Sequence, residues 1–206
     1  MDPLSTFANS CQRISDARNA ADGYLSAQKI ASDDLDLIYE ALFLRLMTAF
    51  ESFLEETFFE AIEGKLQYSD SRGAKIVFHK DAVARDLLLG DDDYLKWLPL
   101  SNAIKIGARY LFDDRPFGKF DDSDRSQIGN MVVIRNAIAH RSKAANDKFM
   151  SQVIGSRSML QAEKTPAGFL RSKVSGSPTR RATNQFDACV GSLATIAKSV
   201  YTGKPK

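Results

Sequence analysis

The segment Val132–Ser142 reads VVIRNAIAHRS and sets an arginine, an asparagine and one of only two histidines into an otherwise apolar helical stretch. Ionisable groups among aliphatic side chains cost several kcal/mol unless they are paired. Such a cost is borne by a paired structural network or by chemistry. Arg135, Asn136 and His140 suit phosphodiester cleavage without a metal. Histidine moves a proton near neutral pH. Arginine offers a fixed fork of donors to the charge that grows on a phosphorane-like transition state. Asparagine orients an imidazole or donates to a phosphate oxygen. RNA brings its own nucleophile, the 2′-hydroxyl, so no catalytic serine or cysteine is required.

At about 100° per residue, Met131, Ile134 and Ile138 form one apolar face, supported by Ile128. His140 points roughly opposite, with Asn136 one turn before it on the same side. Val133 and Ala137 also lie on that second side. A helix apolar on both sides is buried on both sides, and the second covering could be another subunit. Arg135 falls about 140° from His140, so its long arm or a distortion at the helix end must bring the two together. It also calls for an anionic partner. On the strongest upstream helix the acid nearest the apolar stripe is Glu51, with Glu55 next.

The elements that position these residues are helical. Leu4 to about Gln28 carries a weak helical pattern. Ser32–Asp34 offer N-caps for DLDLIYEALFLRLMTAFESFLEETFFEAIEG, in which Leu42, Leu46, Ala49, Phe50, Phe53, Phe58 and Ile62 recur at helical spacing before a stop at Gly64. Lys75–His79 reads as an irregular connection and Asp81–Leu89 as a short helix. Pro99 sits in the first turn of a helix running to about Phe112. The motif helix is expected from about Ser123 to Ser142 or beyond, followed by a short helix at Ala144–Ile154. Gly155–Arg181, rich in Ser, Gly, Pro, Lys and Arg, reads as a long basic flexible loop. Ala182–Tyr201 closes the chain as an amphipathic helix. The expectation is one all-α domain over residues 1–206, an irregular up-and-down helical bundle.

The 206-residue chain is 44% hydrophobic and 26% charged, as in a folded globular protein. No apolar run approaches the roughly 20 residues of a membrane span. MDPLSTFANS lacks the basic and apolar regions of a secretory signal, so a cytoplasmic protein with no membrane contact is expected. Two cysteines, Cys11 and Cys189, are too few for a disulfide framework, although a single bridge between them stays open. The net charge of +2 conceals an asymmetry: residues 1–134 carry 15 Lys+Arg against 23 Asp+Glu, and residues 135–206 carry 13 against 3. A basic C-terminal third points to a polyanion such as RNA, or to pairing with acids of the same chain or a second copy. Arg141, Lys143, Arg171, Lys173, Arg180 and Arg181 are the candidate RNA-binding residues, and Lys148, Arg157 and Lys164 in the same stretch are further residues expected to guide RNA. Asp91–Asp93, Asp113–Asp114 and Asp121–Asp124 adjoin turns and helix starts, where capping explains them better than a hard metal. His79 has no companion ligands and reads as structural. No metal and no cofactor are expected.

The spacing R-N-x-x-x-H resembles the signature of the HEPN superfamily, helical-bundle proteins that include many metal-independent endoribonucleases. MTAFESFLEETFF (Met47–Phe59) is similar to the long helix that carries an acidic residue in that superfamily. RYLFDDRPFGKFDDSDRSQIGNMVVIRNAIAHRS (Arg109–Ser142) is similar to the RiboL-PSP-type branch. The resemblance covers roughly Ile38–Met150, with Thr165–Arg171 as a further segment. It implies a homodimer whose two motif helices meet across a cleft, forming a composite ribonuclease site. Arg135, Asn136 and His140 then match the catalytic motif, with Glu51 as supporting acid. It also implies a place in prokaryotic toxin–antitoxin, stress or phage-defence systems, with an antitoxin or defence partner. One departure stands out. HEPN toxins regulated by a partner nucleotidyltransferase often have tyrosine two residues after the histidine, where this chain has Ser142. The competing reading is a catalytically inactive HEPN-type module that binds a partner, a nucleotide or RNA. A zinc or magnesium hydrolase lacks ligands at credible spacing.

Overall fold

Apolar residues at intervals of three and four run the length of the strongest helix, α2 (Ser32–Ile62), and they bury one continuous stripe: Leu35, Tyr39, Phe43, Leu46, Phe50, Phe53, Phe58 and Ile62 are each at most 2% exposed. Leu42 and Ala49, expected in that stripe, sit at its margin, half-buried. The helix starts where the Asp34 carboxylate accepts the Ala31 N–H at 3.1 Å, and it stops before Gly64, whose φ of +76° is the left-handed geometry of a helix end.

The computed structural model describes residues 2–66, 68, 72–78, 81–89, 95–174 and 184–203. His79, Asp91–Asp93, Arg180 and Arg181 lie outside the described residues. Among the described residues eight α-helices follow in order: α1 (Pro3–Ser26), α2, α3 (Asp81–Leu89), α4 (Leu100–Tyr110), α5 (Asp122–His140), α6 (Lys143–Phe149), α7 (Pro166–Arg171) and α8 (Gln185–Thr202). The described residues contain no strand beyond two isolated bridges, Ala74 with Leu111 and Lys173 with Asn184. The architecture is all-α. None of the helices among the described residues is long and apolar enough to cross a membrane.

Contacts divide the chain into two compact units. The first comprises residues 1–7, 50–129 and 195–206. Its core is aromatic: Phe58 lies 5.3 Å from Trp97 and 6.4 Å from Phe117, and Phe7 lies 5.7 Å from Phe50, ring centre to ring centre. The phenylalanines of α2 are thus core packing. Asp121, Asp124 and Asp113 of this unit serve as a helix cap and a loop anchor. Asp121 and Asp124 exchange backbone N–H bonds at 2.8 and 3.2 Å, a reciprocal cap on the start of α5. Asp113 accepts from the Arg72 side chain and backbone, both at 3.3 Å, which holds its carboxyl below the usual range. Pro99 precedes α4 as its N-cap instead of entering the first turn.

The second unit comprises residues 8–49 and 130–194. Tyr39 and Phe43 of α2 meet Phe186 of α8 at 5.4 and 6.4 Å, and Phe149 meets Phe169 at 6.1 Å. A polar network ties α1, α2 and α8 together: Arg18 pairs with Asp22 and Asp187, and the Tyr39 hydroxyl donates to Asp22 at 3.1 Å and accepts from Asn184 at 3.1 Å. Cys11 and Cys189 are both free, buried thiols, so the bridge between them is not formed.

Two expectations need correction. The motif helix does not run to Ser142. It ends at His140 because Arg141 takes a φ of +45°, and Ser142 instead caps α6, accepting the Ala145 N–H at 3.2 Å. The stretch 155–181, expected as an unbroken loop, contains α7. Thr165 accepts the Gly168 N–H at 3.0 Å, Pro166 occupies the first helical position, and Phe169 and Leu170 are buried at 4% and 0% exposure. Residues 175–181 of that stretch lie outside the described residues.

Candidate functional site

Arg135, Asn136 and His140 all belong to the α5 segment of the second unit. Met131, Ile134 and Ile138 anchor this segment at 2–6% exposure. The opposite apolar residues, Val133 and Ala137, are also buried, at 5% and 7% exposure, inside the single chain. The two-sided apolar pattern therefore does not by itself call for a second copy. What α5 leaves open is a polar edge: Arg135 and Asn136 are half-buried, and Ala139 and His140 are exposed.

The pair at the middle of this edge is joined. Arg135 Nη1 donates to Asn136 Oδ1 at 3.2 Å. That bond uses one lone pair of the asparagine's oxygen and leaves its amide N–H groups as donors. Arginine has five N–H donors and uses one here. Among the described residues Arg135 forms no ion pair and His140 makes no side-chain hydrogen bond. The edge therefore presents two kinds of donor, held by a buried helix, one turn before an imidazole at the helix end. Those are the components needed to grip a phosphate and move a proton beside it.

The acids are distributed differently from the sequence pattern. Glu51 stands half-buried on the α2 segment of the first unit. Glu55, in the same unit, accepts from Arg85 at 2.7 Å and from the Trp97 indole at 3.0 Å. The carboxylate that the second unit itself brings to the end of α5 is Glu40, which accepts from Arg141 at 3.2 Å. Sequence reasoning passed over Glu40. The available signal was that it precedes Glu51 by three turns and shares its face of α2.

The basic candidates separate into committed and uncommitted cations. Arg171 donates to Ser32 at 3.1 Å and pairs with Asp36, and Arg141 pairs with Glu40. Part of the basic C-terminal third thus pairs with acids of the same chain. Lys143 and Lys173 are exposed, and among the described residues neither forms an ion pair. Three or more His, Cys, Asp or Glu side chains gathered as for a metal are not found among the described residues. Comparison with known proteins finds no matching family model, no matching curated protein and no matching solved structure.

Proposed function

We propose that this chain is a metal-independent endoribonuclease of HEPN type. The observation that carries the reading is the Arg135–Asn136 pair, half-buried and hydrogen-bonded, one turn before an exposed His140. In the proposed reaction the RNA 2′-oxygen attacks the adjacent phosphorus, forming the O2′–P bond as the P–O5′ bond breaks. His140 carries the proton from the 2′-hydroxyl towards the departing 5′-oxygen. Arg135 and the Asn136 amide stabilise the extra negative charge on the phosphorus centre. The products are a 2′,3′-cyclic phosphate and a 5′-hydroxyl. The active form is a homodimer with a composite site, in which the second copy supplies the group that orients the imidazole. On this reading it acts in a prokaryotic toxin–antitoxin, stress or phage-defence system with an antitoxin or defence partner, as the resemblance implies, and it works in the cytoplasm.

Cleavage of a labelled single-stranded RNA in the presence of chelator tests this. His140→Ala and Arg135→Ala should each lower the rate by at least about a hundredfold, the lower end of general acid–base contributions. Light scattering at micromolar concentration should give about twice the 22.8 kDa chain mass. A magnesium requirement, or full activity in His140→Ala, refutes the mechanism. A second reading, the inactive module, is favoured by the absence of any hydrogen bond orienting His140 among the described residues. RNA binding by a wild-type dimer that cleaves nothing would select it.

A further inference from the structure

The second unit holds a half-open cavity of about 940 Å³, lined by residues outside α5. Its lining includes Arg157, Arg171, Lys173, Ser158, Gln185 and Glu163, three cations against one carboxylate. The volume is at the upper end of ligand pockets, which span roughly 300–1,000 Å³, yet those are mostly apolar and enclosed. This one is about evenly polar and apolar and only half enclosed, and its excess of cations suits a chain of anions better than a small apolar molecule.

The contacts of the lining residues decide which groups are free to act. Arg171 is held by Asp36 and Ser32, so it fixes the wall of the cavity and contributes little free charge. Glu163, also on the lining, accepts the Leu160 N–H at 2.9 Å through its carboxylate. Arg157 lies over the Phe169 ring, 5.5 Å from the centroid, a contact that supports the guanidinium from one face and leaves its edge N–H groups open. Lys173, among the described residues, is tied through its backbone alone, by the bridge with Asn184. Among the described residues neither Arg157 nor Lys173 forms an ion pair. Two exposed cations without ion pairs therefore share one basin, in which the one acid among the described lining residues accepts a backbone N–H.

We propose that this basin binds phosphate groups of a single-stranded RNA, with Arg157 and Lys173 as the contacting residues and Arg171 as a positioning residue. It is a second contact region for the substrate class proposed above and rests on that reading. It narrows the sequence expectation to Arg157 and Lys173 as direct contacts and gives Arg171 a positioning role.

The test uses the full chain and a fluorescent single-stranded 2′-O-methyl oligoribonucleotide of about 12 residues, which has no free 2′-hydroxyl to attack and so reports binding apart from chemistry. Affinity is measured by anisotropy over a range of salt for wild type, Arg157→Ala/Lys173→Ala and the charge-preserving Arg157→Lys/Lys173→Arg. Each phosphate contact on a single strand contributes about 0.7 to the slope of log affinity against log salt, so the double alanine variant should flatten that slope by about 1.4. Its Kd at moderate salt should rise at least about tenfold, and the charge-preserving variant should recover most of the slope. A slope and Kd within twofold of wild type overturn the basin, whatever happens to cleavage in His140→Ala. The expected loss of binding in a chain that cleaves no RNA supports the basin and removes only the nuclease reading. Competition by polyglutamate as effective as by unlabelled oligonucleotide overturns the RNA assignment in favour of an acidic protein partner.

Discussion

Gly168→Ala should destabilise the second unit, and the structure sets the size of the effect. A Cβ built at Gly168 would lie 1.9 Å from the Ala162 carbonyl oxygen and 2.9 Å from both the Ala162 carbonyl carbon and Thr165 Oγ1. Two of those three atoms are backbone, in the short 3-10 turn Gln161–Lys164, and cannot rotate away. Helix α7 cannot retreat inwards either, since Phe169 and Leu170 fill the core beneath it. Overpacking of this kind costs typically about 1–3 kcal/mol, and a rigid backbone contact belongs at the upper end. Alanine's better helix propensity returns roughly 0.5–1 kcal/mol. The clash wins, by about 2 kcal/mol. For a chain of this length each kcal/mol moves Tm by roughly 2–4 °C, so thermal unfolding followed by circular dichroism should shift down by about 4–8 °C. Gly191→Ala on α8 is the control: nothing lies within 4 Å of its Cβ position, so only the propensity gain acts and Tm should rise slightly. A Gly168→Ala protein as stable as wild type would refute the packing of α7 against the turn, and with it the seat of Arg171 beside Asp36.

Burial pushes the Cys11 thiol up to about 11 and the Cys189 thiol up to about 12. At pH 8 Cys11 is then only about one part in a thousand thiolate, and both should resist a thiol-reactive dye until denaturant is added; rapid labelling of the folded chain would contradict their placement. Tyr39→Phe removes a hydroxyl that donates to Asp22 and accepts from Asn184, each at 3.1 Å. Urea unfolding should show a loss of roughly 1–2 kcal/mol, and an unchanged midpoint would mean that the network contributes nothing net.

The sequence by itself determined the helical character and the local chemistry of this protein. The three-and-four spacing of α2, the short α3 and the acidic residues before α5 are signals read within one or two turns of chain, and helices form on that scale. The same locality made Arg135, Asn136 and His140 legible as a candidate set, since their spacing is covalent. It misjudged α7, where the Thr165–Pro166 start was present but outweighed by the basic, serine- and glycine-rich composition around it. Tertiary structure alone decided the rest. Where α5 ends depends on the left-handed turn at Arg141, whose side chain reaches Glu40, 101 residues away. Both apolar sides of α5 are covered by the chain itself, which no pattern on one helix can reveal. Which cations stay free is equally non-local: Arg171 is neutralised by Asp36, 135 residues earlier, while Arg157 and Lys173 are left facing one basin. Helical periodicity is set by neighbours along the chain, but burial and ion pairing are set by neighbours in space.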